Sequence, residues 1–143
     1  MKLFMSLKST VIRCYSEILR NRLANLTHVG ELDKENCLVG TGMVGSPACG
    51  DVMRLQIKTD GYDPENIIVD AKFKAFGCGS ALAAADLAAE MLIGRSLAQA
   101  KYLSNMELSF ELKMPPLKHH CSILAEEAIE AAIVDLRSKE EVK

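Results

Sequence analysis

The chain contains no tryptophan, and aromatic residues fill 5% of its 143 positions, so it lacks the stacking platforms on which single-stranded nucleic acids are held. Positive charge is not in excess either: 17 Lys+Arg against 19 Asp+Glu give a net charge of -2, with no surplus to neutralise a phosphate backbone. No nucleic-acid partner is therefore expected. No apolar run approaches the roughly 18 residues that a membrane-spanning helix requires, and no membrane partner is expected. There is no CxxC pair, which excludes a preformed zinc finger. The five cysteines, Cys14, Cys37, Cys49, Cys78 and Cys121, are odd in number and widely spaced. That argues against a disulfide framework and for thiols kept reduced, as in a cytosol or an organelle matrix. Four glycines fall between Gly40 and Gly50 in LVGTGMVGSPACGD. The run has no Lys-Ser or Lys-Thr ending and opens no helix, so it is a loop or edge strand and not a phosphate-binding loop.

What is present fits one soluble domain, with 49% apolar and 25% charged residues and a length too short for two cores. The first sixteen residues, MKLFMSLKSTVIRCYS, carry Lys2, Lys8 and Arg13 and no acid, the composition of an organellar transit segment. Val11, Ile12, Tyr15, Ile18, Leu19, Leu23 and Leu26 also recur at helical spacing. Residues 1–14 accordingly read as a targeting segment or an extension of a first helix, 15–139 as the single domain, and 140–143 as a charged tail.

Two strands follow from period-two alternation. Met53, Leu55 and Ile57 alternate with Arg54, Gln56 and Lys58, and Val69, Ala71, Phe73 and Ala75 alternate with Asp70, Lys72 and Lys74. The DGYDPEN between them is a turn, so the pair is an antiparallel hairpin with one wet face. SALAAADLAAEMLI, ending at Gly94, is apolar except for Asp86 and Glu90 and reads as a buried helix. Two short helices are expected between Ser96 and Leu112. Pro115 and Pro116 then interrupt regular structure ahead of a last helix starting near His119 to Cys121. Its apolar stripe is Cys121, Leu124, Ala125, Ala128, Ile129, Ala132, Ile133 and Leu136. The charged residues from Ser138 onward read as frayed.

The hairpin brings chemistry together. Cys49 and Cys78 lie at equal distances from the Asp63-Pro64 centre of the turn, so pairing the strands without net slip makes them neighbours at the open end, and a bulge would shift this by a residue. Cys78, between Gly77 and Gly79, immediately precedes the Ala-rich helix, whose amides and dipole favour a negative sulfur. Asp51 sets a hard oxygen donor two residues from Cys49. Cys121 falls in the apolar stripe, where a cysteine is often only a small hydrophobe. Beside it, however, stand His119, His120 and the cationic Lys118, behind a double proline. Three thiolates with one imidazole or carboxylate make the donor set of a four-coordinate zinc site or of an iron-sulfur cluster with one non-cysteine ligand. A fourth ligand of a different type suggests a labile site.

VGTGMVGSPACGDVMRLQIK, DAKFKAFGCGSALA and MPPLKHHCSILAEEAIEAA, in that order and spacing, resemble the IscU/NifU-type scaffold proteins on which iron-sulfur clusters are assembled, over about Tyr15 to Lys139. The resemblance implies an α+β fold: a small three-stranded antiparallel sheet against four to five helices, with Val39 to Val44 as the third strand. It implies that Cys49, Cys78 and Cys121 ligate a [2Fe-2S] cluster or its iron, that His120 supports them, and that Asp51 keeps the cluster exchangeable. Met114, Pro115, Pro116, Leu117 and Lys118 would be the segment read by a heat-shock chaperone with its J-domain co-chaperone, although relatives commonly have LPPVK there. The implied partners also include a cysteine desulfurase complex, a frataxin-like protein, ferredoxin and apo-iron-sulfur proteins. The implied place is a mitochondrial matrix or related organelle, with cytoplasm as the alternative. The chain would then be a scaffold and sulfur acceptor, with Cys121 first to receive sulfur, and not an enzyme. Relatives tend to read HYENPRNVG where this chain has Arg22, Leu23, Ala24, Asn25, Leu26, Thr27 and His28 before Val29-Gly30. Cys14 and Cys37 match no ligand of the family.

Two rival readings use the same residues. One is a zinc-bound sulfur-transfer or structural zinc protein, since a thiolate site accepts either metal. The other is a thiol hydrolase with Cys121 as nucleophile and His120 as base, disfavoured because adjacent residues on one helix seldom face each other.

Overall fold

The computed structural model describes residues 17–46, 50–61, 63, 65–114 and 119–141. Among these are three strands, β1 (Val39–Ser46), β2 (Asp51–Thr59) and β3 (Ile68–Phe76), and five helices, α1 (Glu17–Ala24), α2 (Gly79–Leu92), α3 (Leu97–Ala100), α4 (Asn105–Leu112) and α5 (His119–Glu141). The strands form one antiparallel sheet in the order β1-β2-β3. This is the α+β architecture that the hairpin and the helical periodicities imply.

Met53, Leu55, Ile57, Ala71 and Phe73 point into the core as the alternation requires. Val69 does not: it is 49% exposed, while Ile68 is fully buried. The cause is a bulge. Lys58 pairs with Asp70 and Thr59 with Ile68, so Val69 is the extra residue and turns outward. The free edge of β3 is covered by the segment ahead of β1, where Gly30 N donates to Phe73 O and Phe73 N to His28 O. Such cover removes an edge that would otherwise template aggregation.

Helices α2 and α5 pack on the sheet. The α5 stripe from Cys121 to Leu136 is buried throughout, and α5 lies directly on β1. A Cβ at Gly40 or Gly42 would run into the backbone of Ala132 or Ala128, so these glycines set the closeness of helix and strand. The helix also extends to Glu141, past the expected fraying point at Ser138. Lys139 accounts for this: its Nζ donates to Lys34 O, Asn36 O and Val39 O at 2.6, 3.3 and 2.7 Å, and Asp135 lies one turn back at 3.7 Å. No helix of the described residues is long and apolar enough to cross a membrane.

Candidate metal centre

The site forms where β2 begins and β3 ends. Beyond the bulge the register pairs Val52 with Phe76, and one further step sets Asp51 across from Gly77. There is no room there for a side chain: a Cβ at Gly77 would strike the Asp51 carboxylate, and Gly77 has φ +154°. Glycine is what lets Asp51, 2% exposed, turn inward beneath the start of α2. Its Oδ1 accepts from Cys78 N at 3.1 Å.

Cys78 is the N-cap of α2, with extended backbone (φ -74°, ψ 164°), and its sulfur makes no capping hydrogen bond. The sulfur is directed instead at two groups. Cys78 Sγ lies 3.9 Å from Asp51 Oδ2 and 3.3 Å from Cys121 Sγ. Together Asp51, Cys78 and Cys121 offer three donor atoms within 4.8 Å of one another. Two thiolates on one tetrahedral ion with bonds of about 2.3 Å would be about 3.8 Å apart, so closing around a metal requires little movement.

Cys121 is fully buried in the first turn of α5. Its neighbour His120 corrects the expectation that adjacent helical residues face apart. His120 Nε2 lies 3.4 Å from Cys121 Sγ and 3.8 Å from Asp51 Oδ2, in the first turn of α5. Four of the five expected site residues, Asp51, Cys78, His120 and Cys121, are thus together. The fifth, Cys49, lies outside the described residues, as do Cys14 and four of the five residues of the proline segment, Pro115 to Lys118. The fifth of that segment, Met114, is 6% exposed and belongs to the core, its N–H donating to Ser109 O at 3.0 Å.

Two features escaped the sequence reading. Beside the site, on the opposite face of the sheet, Met43, Val52 and Phe76 are 63, 44 and 78% exposed and share a shallow pocket with Glu31, Arg54 and Lys74. Hydrogen bonds from Arg54 and Lys74 hold the Glu31 carboxyl below the ordinary carboxylate range. The second is Asp86, fully buried in α2. Its Oδ1 accepts from Thr27 N and His28 N at 3.0 and 2.9 Å, and its Oδ2 from Arg22 Nη1 at 2.8 Å. An acid in the middle of a helix apolar but for Asp86 and Glu90 was the available signal, since buried carboxylates need partners.

Comparison with known proteins gives one consistent result. The family model for the NifU-like N terminal domain matches residues 14–143. The iron-sulfur cluster assembly scaffold protein IscU of Haemophilus influenzae is 53% identical over 126 residues, 88% of this chain and 98% of that one. The iron sulfur cluster assembly protein 1, mitochondrial, of Eremothecium gossypii is 52% identical over 127 residues, 89% of this chain and 81% of that one. Among solved structures, a nitrogen-fixing NifU-like protein (N-terminal) from Brucella abortus superposes with a TM-score of 0.64 at 15% identity, covering 93% of this chain and 99% of the other, a likeness of fold.

Proposed function

The chain belongs to the NifU-like N-terminal domain family, and from that membership we propose that it is a scaffold on which iron-sulfur clusters are built and then passed to apo-proteins, with Asp51, Cys78, Cys121 and His120 forming the cradle together with Cys49. The observation that carries the residue assignment is the convergence of two thiols and a carboxylate within 4.8 Å. Soft sulfurs supply affinity for iron, while the oxygen donor is a poor match for it and keeps the site exchangeable. The cluster, taken as [2Fe-2S], is cargo.

Sulfur reaches the scaffold when a thiolate attacks the outer sulfur of a persulfide on a cysteine desulfurase, whose own thiolate leaves. Reducing each such sulfur to sulfide takes two electrons, the role assigned to ferredoxin. Cys121 as first acceptor requires the start of α5 to open, because its side chain is fully buried, whereas Cys78 is partly exposed. That burial also disfavours a hydrolase, whose nucleophile must meet a carbonyl substrate. The exposed Met43, Val52 and Phe76 offer delivering proteins an apolar foothold beside the site. A mitochondrial or related organelle is the proposed location, supported by the acid-free basic composition of residues 1–14. The relatives include both a bacterial and a mitochondrial protein.

The test is anaerobic reconstitution with ferrous iron, cysteine, a desulfurase and reductant, followed by visible absorption. Cys49→Ser, Cys78→Ser and Cys121→Ser should each abolish a stable cluster, and Cys14→Ser and Cys37→Ser should not. Wild-type occupancy in any of the first three would overturn the common site. A colourless protein carrying one zinc per chain under these conditions would favour the zinc reading.

A further inference from the structure

Away from the thiols, α4 runs antiparallel along α5. Ser109 Oγ donates to Ser122 Oγ at 2.7 Å, and Asn105 N to Glu126 Oε2 at 2.6 Å. Moving back along α4 therefore moves forward along α5, and the turn before α4 arrives beside the C-terminal half of α5. A groove of about 370 Å³ opens there, lined by Lys101, Glu130, Ile133, Val134 and Arg137. Its apolar part is Ile133, which is buried, and Val134, 66% exposed.

The charges in this groove are not internally matched. Nε of Arg137 is buried and has no hydrogen-bond partner. Among the described residues, the side chains of Lys101 and Arg137 make no ion pair, and the one acid of the groove, Glu130, is bonded to neither. A guanidinium cannot shed its charge, and its fork of donors matches a carboxylate in two parallel hydrogen bonds. A buried N–H without an acceptor is a defect that a ligand can correct. Next to Lys101 in the chain, ahead of α4, Tyr102 is 83% exposed and adds an apolar surface at this end of the groove.

We propose that this groove is the docking site for an acidic amphipathic segment of a partner protein, which sets a carboxylate on Arg137 and Lys101 and apolar side chains on Val134 and Tyr102. Charge complementarity selects this occupant: the unpaired cations call for an acid, and the exposed Val134 and Tyr102 beside them call for apolar side chains on the same segment. The groove is independent of the thiol site. Arg137 is sixteen residues beyond Cys121 on one helix, about 24 Å away along its axis, so a partner held here leaves the cluster accessible.

The experiment titrates the isotopically labelled full chain with a blocked fourteen-residue peptide of leucine and glutamate at helical spacing, and with its counterpart carrying glutamine for every glutamate. The glutamate peptide should shift the amide signals of Lys101, Val134 and Arg137 and bind about tenfold or more tightly than the glutamine peptide. Arg137→Gln and, separately, Lys101→Met should weaken it by a comparable factor while cluster reconstitution stays unchanged. Equal binding of the two peptides, shifts elsewhere, or no binding would overturn the proposal. So would inorganic phosphate giving the same shifts at similar affinity, which would mark a small-anion site. A concentration-dependent dimer abolished by Arg137→Gln would mark a contact between copies of the chain and overturn it equally.

Discussion

At the scale of single residues, Gly77 and Asp51 act as one unit, since the missing side chain of one is the space occupied by the other. Gly77→Ala should destabilise the fold by about 1–3 kcal/mol, from positive φ together with the collision, read as a lowered urea midpoint. Asp51→Ala relieves no strain and removes a charged acceptor from Cys78 N, a loss of about 1.5–3 kcal/mol in denaturant unfolding. If the carboxylate keeps the site exchangeable, this variant should hold its cluster longer and pass it more slowly to an apo-ferredoxin; faster transfer or a lost cluster would reverse that role. The near-symmetry of the hairpin, read for Cys49 and Cys78, made legible that the start of β2, Asp51 included, comes to Cys78. The single-residue shift was not, because the bulge at Lys58/Thr59 leaves no mark in an alternation of apolar and polar residues. Nor was the approach of His120 to Cys121, which depends on the side-chain rotamer of His120.

Among the elements, α1 depends on α2 through Asp86. Of the residues that stand where relatives read HYENPRNVG, Arg22, Thr27 and His28 converge on that one carboxylate, with His28 Nδ1 at 3.5 Å and Arg22 bridging onward to Glu90 at 2.5 Å. Asp86→Ala would take the acceptor from Thr27 N–H, His28 N–H and a guanidinium that is 22% exposed, and should cost about 1.5–3 kcal/mol. Hydrogen exchange should accelerate across residues 18–30 ahead of the sheet, and uniform acceleration instead would mean that α1 is not separately anchored. Periodicity announced α2 and α5 because their burial is written in their own residues. It could not announce this anchor, whose partners lie 58 to 64 positions away.

For the whole molecule, α5 connects the thiol site to the far end of the fold, and the proline segment stands where that connection begins. With Pro115, Pro116 and Lys118 all replaced by Ala, the protein should still reconstitute a cluster but should fail to stimulate the ATPase of a heat-shock chaperone. Undiminished stimulation by such a folded variant would leave the segment only its helix-stopping role. Because Met114 is seated in the core, a chaperone that grips it must first draw it out, and Cys121 is seven residues away. At the other end, the three carbonyls around Lys139 fix α5 roughly 27 Å from Cys121. A chaperone gripping the proline segment would make the helix a beam clamped at one end and pulled at the other. Under the proposed chaperone grip, tension on residues 115–118 would meet the close packing of α5 on β1 at Gly40 and Gly42 and should be relieved by unwinding the first turn of the helix. On that proposal the grip on the cargo would loosen before the sheet does, and would re-form when the tension is released.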